Sequence, residues 1–256
     1  MKNENWFARN VEPIMSIALL AMWVFGYFVV GKLIAADHSF YSLATTADRR
    51  LPFVPYFVYP YVALYPVFLL PFFLVRDREF FKVFGWSYVT VMIACYLVFW
   101  NFPVAVERPT FAVVDFTTWA LNLVYKLDVP ANCFPSMHAA MSMMAALTVF
   151  TIDHRRGVWV IFVTLMIGLS ALLVKQHYIA DILAGFGIAI LTYHAYFRQR
   201  IHEAIAEDLR RVPRRIDQAF EDALERRLEP LIDRKIEEKL QDLLAKVEAA
   251  RRNPPK

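Results

Sequence analysis

Glycine, cysteine and charge are all scarce in this 256-residue chain: 7 glycines, 2 cysteines and only 20% charged residues. Little charge beside 58% hydrophobic residues and a mean hydropathy of +0.39 excludes an ordinary soluble domain. The two cysteines, Cys95 in an apolar run and Cys133 in a connecting stretch, exclude a disulfide framework. Both read as free thiols, with an intermolecular bridge left open for Cys133. No internal repeat is visible, which argues against a transporter built from repeated halves. The net charge of +4 does not point to nucleic acid. The basic residues sit beside apolar segments or in an equally acidic tail, where lipid headgroups or water face them, so no nucleic-acid partner is expected.

What is abundant is long apolar sequence. A membrane helix needs about 20 apolar residues. Six stretches qualify: Ile14–Ile34, Phe57–Val75, Phe84–Phe102, Met137–Thr151, Val158–Val174 and Tyr178–Phe197. The first is too long for the core of a cleaved signal peptide and reads as a retained span. The second contains Pro60, Pro66 and Pro71, so a kinked helix is expected. The fourth is the shortest. The expected fold is therefore all-α, a six-transmembrane-helix bundle over residues 1–197 followed by a charged helical tail over 198–256.

Charge sets the expected orientation. Arg76, Arg78 and Lys82, then His154, Arg155 and Arg156, then Arg198 and Arg200, follow the second, fourth and sixth spans. The positive-inside rule puts these connections, and both termini, in the cytoplasm. Arg49 and Arg50, in the first outer connection, count against the rule. Residues 111–127, with Trp119 and Tyr125, read as a short helix lying in the interface. Apolar residues from Ile201 to Val247 recur at steps of three and four, broken by Pro213 and Pro230. They suit either a solvated amphipathic helix or a coiled coil over 199–251 that makes a homo-oligomer.

Ionisable residues at span ends are costly and mark function. Three groups fall on the expected outer side. Glu107-Arg108-Pro109 follows the third span. Arginine's planar fork matches phosphate oxygens, although a lone Arg-Pro also suits a snorkelling loop arginine. Phe134-Pro135-Ser136-Met137-His138 opens the fourth span, where proline suits a helix start and the exposed N–H groups attract an anion. An ordinary helix start with an interfacial histidine reads equally well. Lys175-Gln176-His177 leads to Asp181 at the entry of the sixth. A spacing of four puts His177 and Asp181 on one helix face, where the carboxylate can fix the ring tautomer and leave the other nitrogen nucleophilic. A structural hydrogen bond tying two helices is the plainer alternative.

Together, Arg108-Pro109, Pro135-Ser136-Met137-His138 and His177 to Asp181 resemble the three signature motifs of the type 2 phosphatidic acid phosphatase superfamily. The resemblance covers roughly residues 14–197. It implies a lipid phosphate monoester or diphosphate as substrate and a phosphohistidine on His177. It implies that Asp181 orients His177, that His138 handles the leaving-group proton, and that Arg108 and Ser136 bind phosphoryl oxygens, without metal or cofactor. It also implies an active site outside the cytoplasm, as in a bacterial inner membrane.

The chain departs from the pattern twice. The family's usual motif lysine is replaced by Asn101, and its usual Ser-Arg pair by Ser170-Ala171. Lys175 is the expected substitute cation. Lys-Gln-His-Tyr beside Phe-Pro-Ser-Met-His is similar to the branch containing inositol phosphorylceramide synthases, which implies transfer of a phosphoryl headgroup between lipids as the alternative to hydrolysis. Two histidines at span ends also leave open haem or zinc binding.

Overall fold

The computed structural model describes residues 11–37, 39–128 and 130–197, together with Lys239. Nearly all the tail, and with it the expected amphipathic or coiled-coil helix over 199–251, lies outside the described residues. The described spans all fall within one compact unit, Met1–Arg198.

That unit is helical, and its only β-feature among the described residues is an isolated bridge between Tyr41 and Val104. In chain order the helices are α1 (Val11–Asp37), α2 (Thr46–Arg50), a 3-10 turn (Pro55–Phe57), α3 (Val58–Val62), α4 (Leu64–Leu74), α5 (Arg78–Asn101), α6 (Phe116–Leu127), α7 (Met137–Ile152), α8 (His154–Leu173) and α9 (Ile179–Phe197). Five stretches are long and apolar enough to cross a membrane: Glu12–Ile34, Pro55–Leu74, Arg78–Asn101, His154–Leu173 and Ile179–Phe197. α7 is the expected sixth, but at 16 residues it is shorter.

The reason α7 is different is its position. Twelve of its residues, among them Met137 through Ala146 without a break, are buried. It packs against α4, α5 and α8, and a helix apolar all round belongs at a bundle's centre. Its alanines let neighbours approach closely. One close approach is at Gly185 of α9, where an added Cβ would stand 2.4 Å from the Ser136 carbonyl oxygen. Only glycine allows α9 to lie this near the start of α7.

The outer helices reverse the soluble pattern. Phe73, Trp159 and Leu191 are 77%, 69% and 72% exposed, whereas Ser87, Ser142, Thr148, Thr164 and Ser170 are buried. Large apolar groups on the outside and hydroxyls within suit lipid as the solvent. Thr164 Oγ1 bonds the Ser142 carbonyl across α7 and α8 at 3.2 Å. The protein is an integral membrane protein.

The second apolar stretch is broken, as its prolines predict. The chain runs from the 3-10 turn through α3, turns at Ala63 and resumes as α4. The interface helix begins at Phe116, five residues later than the pattern suggested. Asp115 and Thr118 form a reciprocal capping box there, which halts the helix from extending backward. Its outward face carries Phe116, Trp119, Leu123 and Leu127.

Candidate active site

All three motif groups meet at one end of the bundle. α5 and α8 run towards this end; α7 and α9 start from it. Asp77 and Asp153 cap α5 and α8 at the other end, beside the exposed Arg155 and Arg156.

His177 lies just before α9, not on it. Tyr178 precedes the first helical residue, Ile179, and Asp181 stands at the third position, where its Oδ2 accepts the Tyr178 N–H at 2.8 Å. That is the acid half of a capping box. The same oxygen lies 3.4 Å from His177 Nδ1. The bond that orients the ring comes from elsewhere: Nδ1 points at the Cys133 carbonyl oxygen, 3.1 Å away. A carbonyl can only accept, so Nδ1 carries the proton and Nε2 keeps its lone pair. Asp181 lies buried beside this ring. To the carboxylate expected from sequence the structure adds a backbone carbonyl 44 residues away on the same ring nitrogen, and the carboxylate also holds the turn.

His177 Nε2 faces His138 Nδ1 at 3.4 Å. His138 is in the first turn of α7, and Tyr61 Oη also reaches its Nδ1 at 3.4 Å. Both histidines are buried, at 7% and 4% exposed for His138 and His177. Close packing of α9 on α7 at Gly185 and the bond from Ser136 N–H to the Asp181 carbonyl (2.9 Å) set this distance.

Arg108 is anchored on several sides. Its Nη1 donates to the carbonyls of Tyr125 (3.1 Å) and Asp128 (2.7 Å), which end α6. A cation at a helix C-terminus is favourable there. Its Nη2 donates to Gln176 Oε1 and lies 3.8 Å from Asp128 Oδ2, and the guanidinium stacks 4.7 Å from the Tyr125 ring centroid. Burial pushes the Tyr125 hydroxyl up to about 12, against the pull of Arg108, so it stays a donor, to the Val174 carbonyl. Arg108 Nε, Gln176 Nε2 and Asp181 Oδ1 are buried without a hydrogen-bond partner.

A cavity of about 640 Å³ opens beside His177. Arg108 and Lys175 line it, so the structure brings the predicted nucleophile and two predicted cations together. Lys175, with a left-handed φ of 53°, turns its Nζ onto the carbonyls of Leu51 (2.7 Å) and Asp48 (3.2 Å), leaving one donor of three. Ser136 does not line this cavity. It is fully buried as the cap of α7, its Oγ accepting the Ala139 N–H at 3.2 Å, and Pro135 precedes this cap instead of opening the first turn. Asn101 bonds its own helix at the Leu97 carbonyl, and Ala171 is buried.

Arg49 also lines the cavity, and sequence reasoning missed it. The signal was its breach of the positive-inside rule. Asp48 beside it holds this outer segment down: Oδ1 accepts the N–H of Ile179, the first residue of α9, at 2.8 Å, and Oδ2 accepts from Thr45. Burial works to raise the Asp48 pKa, but these hydrogen bonds outweigh it and keep the carboxyl below the usual range. Cys95 and Cys133 are free and buried, and burial pushes the Cys133 thiol up, so it stays protonated. Among the described residues no group of three His, Cys, Asp or Glu is placed to hold a metal.

A buried histidine pair beside a cavity lined by arginine and lysine thus sits at one end of a membrane helix bundle. The model of the PAP2 superfamily matches residues 84–203. The match, over 120 of the 256 residues, supports the type 2 phosphatidic acid phosphatase superfamily for this region. No match was found among curated proteins or among solved structures.

Proposed function

We propose that the protein is an integral-membrane lipid phosphatase that cleaves a lipid phosphate monoester or diphosphate through a phosphohistidine on His177, without metal or cofactor. The observation that carries this reading is His177, its Nδ1 held by the Cys133 carbonyl so that Nε2 is the nitrogen left to react, beside a cavity whose lining includes Arg49, Arg108 and Lys175. Nε2 attacks phosphorus as the bond to the lipid oxygen breaks, and His138 gives that oxygen its proton. Water, deprotonated by His138, then displaces the histidine. Little covalent work is asked of the protein beyond this. Neutralising charge on three phosphoryl oxygens and holding an in-line nucleophile supply the acceleration. Asp181 stabilises the ring as it becomes cationic, and the Nε–H of Arg108, lacking a protein partner, is ready for a phosphoryl oxygen. Ser136 contributes through the start of α7 more than through its own hydroxyl.

The site end faces out of the cytoplasm in this reading, with both termini inside a bacterial inner membrane and the homo-oligomer, if formed, made by 199–251. The arginines at the opposite end support that orientation.

A second reading, transfer of the phosphoryl headgroup to a lipid alcohol, is favoured by the second cavity on His138 described below. The deciding experiment incubates the full-length protein with labelled lipid phosphates, with and without alcohols. Free phosphate alone means hydrolysis; a new phosphate ester of the added alcohol means transfer. In either case quenching in alkaline detergent, in which the P–N bond survives, traps label on His177. Turnover without a trapped histidine in any quench would overturn the covalent route.

A further inference from the structure

The two histidines open onto different spaces. His177 lines the cation-bearing cavity and His138 does not; His138 lines a second cavity, of about 160 Å³, and His177 does not. The second lies between α1, α3, the start of α4 and the end of α6. Its walls are Trp23, Tyr27, Tyr61 and Tyr65, with Asp128 and His138 deeper in. Tyr27 and Tyr61 each meet the His138 ring edge-on, with centroids 5.3 and 5.8 Å away.

No lysine or arginine lines this space, and its one charged carboxylate, Asp128, accepts a hydrogen bond from Tyr27 Oη at 2.5 Å. The space offers an anion no cation among its lining residues. A neutral hydroxyl would meet His138 and the Tyr61 hydroxyl, with aromatic faces for the methylenes behind it. The rim is open: Val24, Tyr65 and Leu127 are 37%, 45% and 55% exposed, on surfaces that face lipid. The volume suits a hydroxyl and the first few methylenes of a chain, the rest running out along the rim.

We infer that this crevice seats the alcohol half of the reaction, an apolar-chain alcohol, while the cation-lined cavity seats the phosphoryl group. This rests on the phosphohistidine reading above. In the first step the Nε2–P bond forms, the P–O bond to the chain breaks, and a proton passes from His138 to the departing oxygen, which remains in the crevice as the free alcohol. In reverse, an alcohol seated there gives its proton to His138, its oxygen bonds phosphorus and the Nε2–P bond breaks. Leaving and accepting alcohols thus share one seat, and selectivity for chain is set by the walls of this crevice, not by the phosphate cradle.

The test uses full-length protein in one detergent and compares phosphate release from methyl phosphate and from alkyl phosphates of increasing length. Each methylene seated against the walls should raise kcat/KM roughly fourfold until the crevice is filled. Val24→Trp, which fills the crevice, should flatten that series; Val24→Ala should move its plateau to longer chains. Trp86→Ala alters a separate apolar cavity lined by Ile14, Leu19 and Trp86, and should leave the series unchanged, which excludes partitioning into detergent as the cause. A flat series in the unaltered protein, or a series the Val24 variants leave as it was, overturns the inference while phosphate release still supports the phosphatase reading. A series that Trp86→Ala flattens equally also overturns it. No phosphate release from any substrate, and no label on His177, overturns the reading beneath it.

Discussion

His138 and His177 stand 3.4 Å apart, yet their surroundings share almost nothing. His177 has a backbone carbonyl on one nitrogen, a carboxylate beside it and three cations around the adjoining space. His138 has two tyrosine rings, a tyrosine hydroxyl and an apolar crevice. The same side chain is assigned opposite work by its neighbours. One ring is tied through Nδ1 to a backbone carbonyl, with a carboxylate beside it and cations lining its cavity; the other sits among tyrosines at an apolar crevice. Two like groups pushed apart by environment are how acid and base roles are divided at one pH.

The largest effect that would break this contrast is loss of the nucleophile. His177→Ala should lower turnover by about 10⁴-fold or more and remove all label trapped by an alkaline quench, measured in a single turnover. If the two histidines were interchangeable, label would persist. His138→Ala should lower turnover of alkyl esters by about 10²- to 10⁴-fold, the usual range for a positioned acid. With an aryl phosphate, whose leaving group needs no proton, label should still accumulate on His177. A loss as deep with the aryl ester as with the alkyl ester would erase the distinction.

On the cation side, Lys175→Ala should raise KM and lower kcat/KM about tenfold, with Arg49→Ala similar or smaller because its side chain is more exposed. Unchanged kinetics for both would leave Arg108 as the sole phosphate cation. The smallest effect concerns Asp48. Its carboxyl is held below the usual range in the fold. Its stabilisation is therefore fully present above the ordinary aspartate value of about 4, and is lost as pH falls through the lower folded value. Asp48→Asn should cost roughly 1 kcal/mol near neutrality, the worth of a helix cap, and should flatten the drop in thermal midpoint on acidification that the unaltered protein shows.

Much of this site was readable before any coordinates. Arg108, His138, His177 and Asp181 sit at the ends of apolar runs, and span ends on one side of a bundle must converge. Lys175 was legible as a cation two residues from the nucleophile, and it does line the cavity. Ser136 was misjudged because a hydroxyl at a helix start looks the same in sequence whether it faces a ligand or caps its own helix. Arg49 went unnoticed because nothing local links a loop arginine to a histidine 128 positions later. The Cys133 carbonyl was invisible for a stronger reason: every residue has one, and sequence does not say which will meet a ring.

Five of the six expected spans, and the break in the second, followed from sequence alone, since hydropathy and proline act over a few neighbouring residues and lipid leaves a helix few alternatives. Tertiary structure decided which helix became the centre, through the alanines of α7 and the contact at Gly185. It also decided which oxygen holds the His177 proton and that the histidine pair divides two cavities. Those outcomes depend on distances between groups far apart in the chain, which only packing sets.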